Sequence, residues 1–113
     1  MAFDRNERHT LALTAVGHFG VHFAMLAYPT AAVVIARAEG LPLDVVLGWS
    51  LAAYLIYGLG GLPVGVLSDH VRASWVVRVG VLGLGPAMMA VSLAEPGVGL
   101  AAAFAAGGVF ASL

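Results

Sequence analysis

The chain has no cysteine and no lysine among its 113 residues. The first absence excludes disulfides and thiolate metal sites, and leaves the compartment open. The second leaves the positive side chains to five arginines, Arg5, Arg8, Arg37, Arg72 and Arg78. Charge of either sign is scarce. Charged residues make up 10% of the chain, where soluble domains carry about 25%. Hydrophobic residues make up 61%, and the mean hydropathy is +0.98. Such a composition is not that of a soluble domain. A net charge of −1 offers no basic surface to nucleic acid, so none is expected as a partner.

What is present is a series of long apolar runs. A helix needs about 20 predominantly apolar residues to cross the hydrocarbon core. Residues 10–36 and 45–68 meet this length, and residues 75–94 meet it if Arg78 snorkels to the surface beside Trp75. A fourth run, residues 96–113, begins at Glu95-Pro96 and reaches Leu113 with no polar tail or interfacial anchor, as expected of a truncation inside a helix. Ala36-Arg37-Ala38 resembles a signal-peptidase site. The uncharged run before it is far longer than the roughly 7–15 residues of a signal core, so it reads as a retained span. The connections are short and punctuated, by Gly40 and Pro42 and then by Pro96 and Gly97. The expected fold is therefore all-α, a polytopic membrane protein with three transmembrane helices and most of a fourth. Its partner is the lipid bilayer. Arg5, Arg8, Arg72 and Arg78 lie on one side of this topology and Arg37 on the other. The positive-inside rule then places the N-terminus and the loop 69–74 in the cytoplasm.

Small residues mark expected helix contacts. Gly61 and Gly65 form G-x-x-x-G, while Gly20 with Ala24 and Ala103 with Gly107 repeat the small-xxx-small spacing that lets membrane helices approach closely. Pro29, Pro63 and Pro86 lie inside apolar runs, where each removes a backbone donor and can kink its helix.

Polar side chains inside the runs are few, which makes them conspicuous. Thr14, His18 and His22 recur every four residues and so share one helix face, continued by Met25 and Pro29. Imidazoles in a membrane segment are costly and face a bundle interior or a wet cavity. Two readings stand: a cavity stripe in which a histidine binds substrate or carries a proton near physiological pH, or hydrogen-bonded histidines that join helices. Histidines at this spacing can share zinc. The glutamate of H-E-x-x-H is missing, however, and the same run has no carboxylate or cysteine, so neither a metal nor another cofactor is expected. Ser50, Tyr54, Tyr57, Gly61, Gly65 and Ser68 form a second stripe. Tyrosine hydroxyls at that depth need partners, either a ligand in a central cavity or a neighbouring helix. Trp49 and Trp75 read as interfacial anchors. With no nucleophile–base pair in view, enzymatic chemistry is not expected.

Between the second and third runs stands Gly65-Val66-Leu67-Ser68-Asp69-His70-Val71-Arg72. It resembles the loop between helices 2 and 3 of major facilitator superfamily transporters, which reads roughly G-x-L-A/S-D-R/H-x-G-R-R/K. Gly65, Leu67, Ser68, Asp69 and His70 match; Arg72-Ala73-Ser74 stands where the family has Gly-Arg-Arg/Lys. Gly17-His18-Phe19 is similar to a G/A-H-F found early in helix 1 of the fosmidomycin-resistance-like branch, although His22 stands where that branch tends to carry an acidic residue. The resemblance implies a twelve-helix transporter of the bacterial inner (plasma) membrane, of which this chain would be an N-terminal fragment, missing the remainder that completes a small-molecule site. It implies that Gly65, Asp69 and Arg72 belong to a conformational-switch loop, with the aspartate pairing with a helix terminus and basic residues. His18, His22, Tyr54 and Tyr57 are then candidates for the substrate or proton pathway. A second class of function remains open: a small structural or accessory subunit whose glycine faces pack on another membrane protein.

Overall fold

The computed structural model describes residues 4–113. Among these the chain is all helical, in the order α1 (Arg5–Glu39), α2 (Leu43–Gly48), α3 (Leu51–His70), α4 (Ala73–Leu93) and α5 (Val98–Ser112). α1 begins five residues ahead of its apolar run because Asp4 and Glu7 form a reciprocal capping box. The Asp4 carboxylate accepts from the Glu7 N–H at 2.8 Å, and the Glu7 carboxylate from the Asp4 N–H at 2.9 Å. The helix ends where Gly40 turns left-handed at φ 65°. Leu41 N–H then returns to the Ala36 carbonyl at 2.9 Å.

The expected single helix over 45–68 is two helices. α2 starts earlier, after Pro42, and closes at Gly48; α3 resumes at Leu51 and runs on to His70. At the break the ladder tightens to three-residue spacing, with Trp49 N–H on the Val46 carbonyl at 3.3 Å and Ser50 N–H on the Leu47 carbonyl at 3.0 Å. The Ser50 hydroxyl also donates to the Leu47 carbonyl at 2.6 Å. A serine hydroxyl that bonds the local backbone competes with the helical ladder, and Gly48 beside it weakens the ladder further.

Three helical stretches are long and apolar enough to cross a membrane: Arg5–Glu39, Leu43–His70 with its break, and Ala73–Leu93. α5, with 15 residues, spans about 22 Å at 1.5 Å per residue, short of the roughly 30 Å hydrocarbon core. The Arg78 guanidinium lies 5.6 Å from the centre of the Trp75 ring. This is a cation–π distance, and it brings the charge back toward the start of α4.

The last helix, too short to span, holds the centre. α5 packs along both α3 and α4, and its Phe104 is fully buried. The fit depends on glycine. A Cβ added at Gly60 would stand 2.5 Å from the Ser112 Cβ, and one at Gly80 would stand 3.0 Å from the Phe110 carbonyl oxygen. The Phe110 ring lies directly over Gly83. α1 contributes Ala24, Met25, Tyr28, Ala32 and Ala36 to the core, a narrow stripe along its C-terminal half. Its N-terminal half presents Leu13, Val16, Phe19 and Phe23 outward.

The expected glycine contacts are redistributed. Gly107 is buried against Ala87 and Met88, as its spacing suggested, and Ala24 joins the core. Gly61, Gly65 and Gly20, by contrast, face open space. Among the described residues the G-x-x-x-G pair therefore makes no close helix contact. α3 meets α5 through Gly60, one place round the helix, because that face lies opposite the small residues of α5.

Candidate functional site

α1 carries His18 and His22 one turn apart on an exposed face. Their rings meet edge to face with centroids 4.5 Å apart. Tyr57 of α3 approaches His22 edge-on, with centroids 6.3 Å apart and planes at 89°. Thr14 lies one turn before His18 and is exposed. Among the described residues, no side-chain hydrogen bond reaches either imidazole. A neutral imidazole offers one donor and one acceptor, so the patch keeps free polar capacity on an otherwise apolar surface. The structure thus joins His18, His22 and Tyr57, from two different helices, into one cluster.

Tyr54 belongs elsewhere. Its hydroxyl donates to the Met25 carbonyl at 2.7 Å, and its ring stands edge-on to Phe104 with centroids 6.0 Å apart. It thus serves the helix-joining role that the sequence left as one of two possibilities. The residue passed over in the sequence is Tyr28, which stacks on Phe104 at 4.5 Å and donates to the Val46 carbonyl at 2.8 Å. A signal was available, since Tyr28 follows Ala24 at four-residue spacing and precedes Pro29.

The switch-loop residues lie at the junction of α3 and α4. Asp69 occupies the last turn of α3 and is exposed, as are Gly65 and Arg72. An acidic charge near a helix C-terminus opposes the macrodipole, so α3 itself does not stabilise Asp69. α4 starts at Ala73, and its N-cap residue, Arg72, makes no side-chain cap bond. The electropositive start of α4 therefore lies close in sequence to a carboxylate that its own helix disfavours. His70 is engaged locally, with Nδ1 2.8 Å from the Val66 carbonyl oxygen.

A groove of about 360 Å³ lies between α1, α4 and α5, lined by Ala27, Tyr28, Ile35, Met88 and Leu100 among others. Its hydroxyls are engaged: Tyr28 bonds the Val46 carbonyl, and Ser92 bonds the Met89 carbonyl at 2.7 Å. Small-molecule sites depend on a few convergent polar groups, which this groove does not offer. Neither His18 nor His22 lines it. Among the described residues, no three of His, Asp, Glu or Cys are grouped to hold a metal ion. No family model, curated protein or solved structure matches the chain.

Proposed function

We propose that this chain is the N-terminal portion of a secondary active transporter of the major facilitator type, moving a small molecule across a bacterial inner membrane with proton or ion coupling. One observation carries the reading. His18, His22 and Tyr57 form a polar cluster on long apolar helices, and among the described residues no side-chain hydrogen bond reaches either imidazole. An imidazole with open donor and acceptor positions is suited to ligand binding or to proton transfer near neutral pH. The motif Gly65–Arg72 supports the same reading. It has an exposed aspartate at the end of α3, directly before an uncapped α4. On this reading the N-terminus and the Asp69 loop are cytoplasmic, and further helices complete the substrate site, since such sites form between structural repeats.

The test is uptake by the complete transporter in proteoliposomes, with His18→Phe against wild type. The proposal requires reduced coupled uptake at unchanged protein level; full uptake would make the cluster a packing feature. A second reading, an accessory subunit that packs on another membrane protein, is favoured by Gly61 and Gly65, which meet nothing within 4 Å. The coding sequence downstream of Leu113 separates the two. Continued apolar segments support the transporter, and a stop codon supports the subunit.

A further inference from the structure

Pro29 has no backbone N–H, so the Met25 carbonyl four residues earlier lacks its helical partner. An unpaired carbonyl in apolar surroundings is costly. Tyr54 supplies the missing donor from α3, its hydroxyl 2.7 Å from the Met25 oxygen. A reciprocal arrangement lies beside it. The break after Gly48 leaves the Val46 carbonyl with the long three-residue bond from Trp49 N–H, at 3.3 Å, in place of a four-residue one, and Tyr28 of α1 donates to the same oxygen at 2.8 Å. Each discontinuity is thus satisfied by a tyrosine from the opposite element, and Phe104 packs against both rings. Pro63 and Pro86 differ. The carbonyls they leave unpaired belong to Leu59 and Leu82, both exposed, and no tyrosine hydroxyl reaches either among the described residues.

We propose that α1 pivots at Met25–Pro29 and that the Tyr54–Met25 hydrogen bond is a releasable latch. While closed, it holds the histidine-bearing half of α1 beside α3. The other contacts of that half are few: Val21 packs against the core and Tyr57 stands beside His22. Leu13, Val16, Phe19 and Phe23 are exposed, and even at Gly17 a Cβ would only just reach Val81, at 3.9 Å. Opening the latch moves His18 and His22 away from Tyr57 without disturbing the C-terminal half of α1, which stays anchored by Tyr28, Ala32 and Ala36. The proposal is independent of whether the chain transports anything.

The absence of cysteine makes the test direct. Leu13→Cys and Leu62→Cys introduce the only two thiols, at sites 75% and 78% exposed, for spin labels on α1 and α3. Their distance distribution is measured in the full chain in lipid nanodiscs, with circular dichroism confirming equal helix content. Tyr54→Phe keeps the ring against Phe104 and removes only the hydroxyl. It should raise the longer-distance population roughly threefold, the typical effect of one interhelical hydrogen bond in a membrane. Pro29→Ala restores the N–H to the Met25 carbonyl, so in that background Tyr54→Phe should change nothing. An unaltered distribution in Tyr54→Phe would overturn the latch. So would an equal response with and without Pro29, because the hydroxyl would then act elsewhere.

Discussion

Gly108 of α5 rests on the backbone of Ala53 in α3, so that a Cβ added at Gly108 would stand 2.5 Å from the Ala53 carbonyl oxygen. Backbone cannot yield as a flexible side chain can, so Gly108→Ala must push the two helices apart. Overpacking of this kind costs about 1–3 kcal/mol, against a helix-propensity gain of about 1 kcal/mol. Gly61→Ala meets no obstacle within the chain and keeps only the gain. Reversible unfolding in detergent should therefore show Gly108→Ala less stable than wild type and Gly61→Ala equal or more stable. The opposite ranking would place α5 wrongly.

Removing the ring nitrogens of His18 tests the cluster. His18→Phe retains an aromatic edge toward His22 but no donor or acceptor, so on the proposed transport function coupled uptake by the complete protein should fall. His22→Phe should fall less, since His22 already has the Tyr57 ring beside it. Initial rates in proteoliposomes, normalised to incorporated protein, give the comparison.

Asp69→Asn keeps the shape of the side chain and removes its charge. Pairing of an exposed carboxylate with a helix N-terminus is worth about 0.3–1 kcal/mol, which shifts a two-state balance roughly two- to fivefold. The expected outcome is altered labelling of the two membrane faces with unchanged substrate affinity. Arg72→Ala should do less, because its arginine is out of register with the basic positions of the family it resembles. Lost affinity with unchanged labelling would move Asp69 into the binding site.

Vesicles containing this chain alone should accumulate no substrate above empty vesicles. The polar cluster lies on an exposed surface, and an alternating site needs a second wall. Accumulation by the chain alone would refute the need for further helices.

The helices themselves were legible in the residues. Residues 10–36 and 75–94 read as spans because apolar runs of that length have few other uses; α1 covers the first, and α4 covers the second up to Leu93. The earlier start of α1 was also written locally, in Asp4 and Glu7. The break inside 45–68 was harder to see, because Gly48 and Ser50 are tolerated in many unbroken helices. At the break the Tyr28 hydroxyl donates to the Val46 carbonyl, whose other bond is the long three-residue one from Trp49.

Sequence alone determined the helical class, the turns at Gly40 and Gly97, and the histidine face of α1, since each follows from spacing or from one residue's backbone preference. Tertiary structure decided which glycines are contacts, which tyrosine is free, and which helix sits in the middle. Small-xxx-small spacing marks several possible faces, and only the packing of α5 selects Gly60, Gly80, Gly83 and Gly108 while leaving Gly61 and Gly65 open. Tyr54 and Tyr57 are indistinguishable along α3. The proline in α1 draws the first to the Met25 carbonyl, and the second is left beside His22.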